Sequence, residues 1–194
     1  MKRLSWPRWL IPLLGLVAVL ALTQLPRLIQ TGPATAAIGG SFTLTDQQGR
    51  IVHDSDFRGK LMLIYFGYTF CPDVCPTSLN HVAEAYGSLP AEQRAQIVPI
   101  FITVDPERDT VAQIAQYVPS FSPALVGLTG SPEQIAAVTK SYRVYARKSG
   151  SGPNYGVDHS SILYLMGKDG RFLRHFDGNA SAEEIAAGLK QALG

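Results

Sequence analysis

Apolar and polar positions divide the chain into zones of different periodicity. From Trp9 to Leu25, about 17 residues run almost without polar side chains, at the short end of what crosses a bilayer as a helix. Thr31 to Gly40, rich in Gly, Ala and Thr, reads as a tether. Beyond it, short apolar runs of strand length alternate with stretches spaced for helices.

Phe42 to Val52 predicts a small hairpin turning at Asp46-Gln47-Gln48-Gly49. Leu61 to Phe66 is continuously apolar, as in a strand buried on both faces. Leu79, Val82, Ala83 and Tyr86 then recur at helical spacing, and Pro76 marks the expected start of that helix, since proline is tolerated in a first turn. Val98 to Val104 predicts a second buried strand, which completes a right-handed βαβ unit with a parallel pair. Asp109-Thr110 can cap a short helix through Tyr117, and Ala124 to Leu128 reads as a brief strand. Ser131-Pro132-Glu133-Gln134 opens another helix with a capping-box pattern.

Ser149 to Gly156, polar and Gly-rich, reads as an exposed loop after Tyr142 to Lys148. Ser161 to Met166 and Phe172 to Phe176 form a hairpin joined at Gly167-Lys168-Asp169-Gly170. Ser181-Ala182-Glu183-Glu184 opens a last helix that buries Ala182, Ile185, Ala186, Leu189 and Leu193. The order βαβ, extra helix, ββα is that of an α/β, thioredoxin-like fold with an added N-terminal hairpin. The predicted organisation is an N-terminal membrane anchor over residues 1–25, a tether over 26–40 and one domain over 41–194, large enough to bury a real core.

Lys2, Arg3 and Arg8 precede the first apolar run and only Arg27 follows it closely, so the positive-inside rule puts the N-terminus in the cytoplasm and the domain outside. A cleaved signal peptide is the competing reading, because Ala34-Thr35-Ala36 has the small-residue pattern of a cleavage site. That site lies far beyond the apolar stretch, with Pro26 and Arg27 between. No cysteine follows the apolar run closely, which excludes a lipoprotein anchor.

The four N-terminal basic residues account for the whole-chain net charge of +2; the rest of the chain holds 13 basic residues against 15 acidic ones. A mildly acidic domain without a basic stripe argues against a nucleic-acid binder.

The chain has 2 cysteines, Cys71 and Cys75, so this pair carries all its sulfur chemistry. Spacing of i, i+4 brings both sulfurs to one side of a helical turn, where they can share one ion or one bond. A disulfide there would close a very small loop and contribute on the order of 2 kcal/mol, a weak reason for a purely structural bridge. Two soft thiolates suit Cu(I) or Zn(II) at least as well as disulfide exchange, and spacing alone does not choose. Cys75, near a helix N-terminus, is expected to have its thiolate favoured by the dipole.

A third ligand should come from elsewhere in the chain, and the candidates are His53, His81, His159 and His175. His81 lies six residues past Cys75, about 240° round the helix, and points away from the pair. His53, after the first hairpin, and His175, ending a strand beside charged residues, read as surface histidines. His159 lies in Tyr155-Gly156-Val157-Asp158-His159-Ser160-Ser161, at the entry to a hairpin strand that runs near the strand-to-helix corner bearing the cysteines; a loop histidine bonded to its own backbone is the plainer alternative.

Three separated stretches, Tyr65-Phe66-Gly67-Tyr68-Thr69-Phe70-Cys71-Pro72-Asp73-Val74-Cys75-Pro76-Thr77, Thr103-Val104-Asp105-Pro106-Glu107-Arg108-Asp109-Thr110 and Tyr155-Gly156-Val157-Asp158-His159-Ser160, together resemble the Sco/SenC family of copper-binding cytochrome c oxidase assembly factors. The resemblance implies that Cys71, Cys75 and His159 bind one copper ion, as Cu(I) or with a further ligand as Cu(II), and that the copper goes to the binuclear site of oxidase subunit II. It also implies a bacterial inner-membrane protein with its domain in the periplasm, serving as a metallochaperone alongside other copper chaperones or thiol reductants. Asp158, and the acidic cluster Asp105, Glu107 and Asp109, can orient the imidazole or form a docking rim; a proline turn and helix cap is the plainer reading for Asp109. Asp73 can keep the loop between the cysteines open, or simply start the helix.

The rival from another class is a membrane-anchored thiol-disulfide oxidoreductase on the same fold, with Cys71 and Cys75 as its redox pair. Thioredoxins resemble one another in a cis-proline facing the cysteines, and no proline follows Pro153 here. A peroxiredoxin would need Pro-x-x-x-Thr-x-x-Cys, which Cys71 lacks.

Overall fold

The structure, a computed structural model, describes residues 38–194; the anchor expected over residues 1–25 and all of the tether except Ile38, Gly39 and Gly40 lie outside the described residues. Among the described residues no helix is long and apolar enough to cross a membrane.

Seven strands form one mixed sheet. The expected first hairpin is β1 (Thr43–Asp46) and β2 (Ile51–His53), paired Leu44 to Val52 across a turn in which Gly49 takes φ +79°, a value that glycine adopts without strain. β3 (Leu61–Gly67) is buried along its whole length, because side chains on both of its faces meet helices. Leu61, Leu63 and Tyr65 enter one apolar cluster, and Met62, Ile64 and Phe66 enter the other, as the period of two requires. β3 leads into α1 (Val74–Gly87), the one-turn α2 (Ala91–Arg94) and β4 (Ile97–Thr103), which lies parallel to β3.

Thr110 caps α3 (Val111–Tyr117) by accepting from the Gln113 N–H, and β5 (Val126–Thr129) follows, parallel to β4. α4 (Pro132–Tyr142) opens with the expected capping box between Ser131 and Gln134. β8 (Ile162–Met166) and β9 (Phe172–Asp177) form the second hairpin, and Ser181 caps α5 (Ala182–Leu193). The sheet order is β2-β1-β5-β4-β3-β8-β9, with α1, α3 and α5 contributing to the cluster on one face and α4 to that on the other. This is the expected mixed α/β, thioredoxin-like arrangement.

The structure corrects three details. α1 starts at Val74, two residues before Pro76, so the proline sits at the third helical position and Cys75 lies inside the first turn. The stretch expected as a loop over Ser149 to Gly156 is shorter: β6 (Ala146–Ser149) and β7 (Gly156–His159) pair antiparallel as a separate two-stranded ribbon, with Ser149 opposite Gly156. His159 therefore closes β7 rather than opening β8.

Candidate metal centre

β3 delivers the chain to the site from the middle of the sheet. Gly67, its last residue, packs so closely on α1 that a Cβ there would lie 2.8 Å from Cys75 Sγ. Glycine is needed for this approach, not for a turn. The loop that follows is fastened from below by Asp109, which accepts from Thr69 N at 3.0 Å, Thr69 Oγ1 at 2.7 Å and Thr103 Oγ1 at 2.6 Å. Asp109 is fully buried and is neither the helix cap nor a rim residue. Burial pushes its carboxyl above the usual range, opposed by those three hydrogen bonds.

Cys71 and Cys75 are both free thiols. Cys75 is fully enclosed in the apolar cluster, whereas Cys71 lies at its margin, 9% exposed. The Cys75 N–H points at Cys71 Sγ, 3.5 Å away, which places the first sulfur over the opening turn of α1. Burial drives the Cys75 thiol far above its ordinary value; a hydrogen bond from the Tyr68 backbone opposes this, and the neighbouring Cys71 adds to it. The helix dipole does not win here. Removing the thiolate from water costs more than a terminus can return, so the expected preference for thiolate is reversed in the metal-free protein.

His159 reaches the pair from the end of β7. Its Nε2 lies 3.4 Å from Cys75 Sγ, while Nδ1 lies 3.1 Å from the Ser160 carbonyl. A carbonyl only accepts, so Nδ1 carries the proton and Nε2 keeps its lone pair toward the sulfurs. Burial lowers the imidazole below the usual histidine value, against the Ser160 hydrogen bond and the Asp158 charge, and holds it neutral at pH 7. The rings of Tyr65 and Tyr68 meet it edge to face, with centroids 6.3 Å and 5.8 Å away.

The ligand atoms of Cys71, Cys75 and His159 all lie within 4.8 Å of one another, and among the described residues no fourth His, Cys, Asp or Glu joins them. Two sulfurs and one imidazole nitrogen suit a soft, three-coordinate ion; structural zinc would take a fourth protein ligand.

The other histidines stay away. His81 Nδ1 lies 2.9 Å from the Ala180 carbonyl, His53 Nδ1 lies 2.9 Å from Thr43 Oγ1, and His175 stacks on Phe172. Asp158 is exposed and makes no contact that orients the ring, a task that falls to the Ser160 carbonyl. Asp73 is the N-cap residue of α1 without a side-chain cap bond. Asp105 accepts from Tyr155 Oη at 2.7 Å and pairs with Arg108; Glu107 pairs with Lys148. That acidic cluster fastens the ribbon and leaves the imidazole alone. Spacing and composition give Gly67, Tyr65 and Ser160 no role of their own, although the glycine closing an apolar strand just before the cysteines is a visible signal.

A thioredoxin-like sheet carrying two thiols and an imidazole at one corner defines a class of thiol-based metal-binding proteins. The family model described as SCO1/SenC matches residues 30–194, and the chain belongs to that family. The mitochondrial SCO2 homolog of Bos taurus is 48% identical over 162 residues, 81% of this chain, and the match spans 61% of that relative's length. A SCO2-like protein of Rickettsia felis is 46% identical over 156 residues, covering 79% of this chain and 76% of the relative. The structure of Bradyrhizobium japonicum ScoI with copper bound is 49% identical and superposes with a TM-score of 0.75, over 80% of this chain and 99% of that one.

Proposed function

We propose that this protein is a copper metallochaperone that holds one copper ion between Cys71, Cys75 and His159 and passes it to the binuclear site of cytochrome c oxidase subunit II. Residues 1–25 anchor it in a bacterial inner membrane, residues 26–40 act as a tether, and the domain over 41–194 works in the periplasm. The observation that carries the reading is the convergence of three soft or borderline ligand atoms within 4.8 Å, drawn from two distant segments. Copper bound to a relative that shares half its residues supports the choice of metal.

The copper is cargo, so the site must both hold and release it. Cys75, fully enclosed, is the retentive ligand, while His159 beside it is half-buried. Cys71 and His159 lie at the margin, where an incoming partner thiolate reaches the metal first, and replacing ligands one at a time avoids releasing free ion. Oxidation of the pair to a disulfide removes both sulfurs from the metal, so occupancy depends on redox state.

The rival reading is a thiol-disulfide oxidoreductase for the cysteines of the same oxidase site. The test is subunit II metallation in cells carrying wild type, Cys71→Ser or His159→Ala, beside reduction of insulin disulfides by the purified chain. The chaperone reading expects unmetallated subunit II with both variants and slow insulin reduction. Turnover at thioredoxin-like rates, with His159→Ala fully active in cells, contradicts it.

A further inference from the structure

We propose that Arg108 is a positioning residue that keeps His159 against the two cysteines by clasping the β6–β7 ribbon to the turn after β4. The inference rests on the reading that Cys71, Cys75 and His159 hold copper.

The ribbon that carries His159 pairs with no strand of the main sheet. Val157 is the one buried residue of its two strands, and an isolated two-stranded hairpin is marginal in water. Side chains must therefore fix where it lies. Lys148 and Glu107 pair across the gap, but both are at least half exposed, and such pairs contribute little.

Arg108 makes the substantial attachment. Its Nε donates to Asp105 and its Nη1 donates to the Tyr155 carbonyl at 2.9 Å, so one planar guanidinium joins the turn to the residue that leads into β7. The Tyr155 ring stacks on it, 3.6 Å from centroid to the guanidinium carbon, and sends its hydroxyl to the other oxygen of Asp105 at 2.7 Å. The guanidinium carbon also lies 4.8 Å from the Phe70 ring centroid and 5.7 Å from that of Tyr68. Tyr68 is one of the two rings that meet His159 edge to face. The Arg108 Nη2 is buried as well. Arg108 thus touches the cysteine loop, the turn and the ribbon together, four residues of strand away from the imidazole it sets in place.

The experiment uses the full chain as wild type, Arg108→Ala, Arg108→Lys, His159→Ala and Arg108→Ala/His159→Ala. Each is loaded with Cu(I) and measured by competition with a Cu(I) chelator and by X-ray absorption, which counts imidazole nitrogen on the metal. Arg108→Ala should lose the imidazole signal while keeping both sulfurs, and its affinity should fall to within about twofold of His159→Ala. The double variant should bind no more weakly than His159→Ala, since both changes remove the same ligand. Arg108→Lys keeps the charge without the fork and should not restore the imidazole.

Retention of the imidazole in Arg108→Ala overturns the proposal, as do losses that multiply in the double variant. If Arg108→Ala does not fold, Tyr155→Ala, which removes the stacked ring and its hydroxyl, carries the same expectation, and full imidazole signal there overturns it. Unchanged coordination in His159→Ala would instead overturn the metal site itself, leaving the two failures distinguishable.

Discussion

Cys75 Sγ and His159 Nε2 lie 3.4 Å apart although 84 residues separate them in the chain. Burial acts on both partners in the same sense: it raises the thiol and lowers the imidazole, so each stays neutral. The pair is not a thiolate-imidazolium couple of the kind that activates a nucleophile. It is a protonated sulfur facing a free nitrogen lone pair, and a metal ion arriving there must displace a proton from the sulfur.

Copper affinity should therefore rise with pH. Each proton expelled on binding changes the apparent affinity about tenfold per pH unit, so Cu(I) should bind at least about tenfold more weakly at pH 6 than at pH 7. Chelator competition at the two pH values checks this, and a flat profile would mean that Cys75 is already ionised. The metal-free fold has its own window. A raised thiol contributes stability that declines above the ordinary thiol value, ~8.5, and a lowered imidazole contributes stability that declines below ~6.5. Denaturant midpoints of the apo protein should drop on both sides of that range.

Gly67→Ala should damage fold and site together. The added carbon would lie 2.8 Å from Cys75 Sγ, 3.0 Å from Tyr65 and 3.1 Å from Phe101, none of which is the far end of a flexible chain. Overpacking of this kind costs ~1–3 kcal/mol, and relief by moving Cys75 would weaken copper binding as well. Thermal melts and chelator titration of the variant measure the two effects separately.

His81→Ala should leave Cu(I) affinity within about twofold of wild type, because its ring is bonded to the Ala180 carbonyl beside α5. A larger loss would place a histidine of α1 in the site and undo the ligand set argued above.

The sequence showed most of the sheet, because β3 and β8 are apolar at nearly every position and the helix starts at Ser131 and Ser181 carry their own caps. It offered the candidate ligands too, 2 cysteines one helical turn apart and four histidines, and the resemblance to the Sco/SenC family is what singled out His159 among them. It hid the ribbon. Ala146-Arg147-Lys148-Ser149 has neither alternation nor apolar weight, and its pairing with β7 is announced by no local pattern. The reading of Asp109 failed for a related reason: a carboxylate ahead of a helix looks like a cap, and only the fold brings Thr69 and Thr103 around it. The ionisation of Cys75 was misjudged because helix position is visible in sequence, whereas the depth of burial that outweighs it is not.

The central claim is that one copper ion sits among two sulfurs and one remote imidazole. Cu K-edge X-ray absorption on the Cu(I)-loaded full chain, with copper quantified per protein, tests it most directly. The account predicts one copper with two sulfur neighbours and one imidazole nitrogen, the nitrogen vanishing in His159→Ala together with at least about a tenfold loss of affinity, ~1.4 kcal/mol. An unaltered spectrum and affinity in His159→Ala would contradict it.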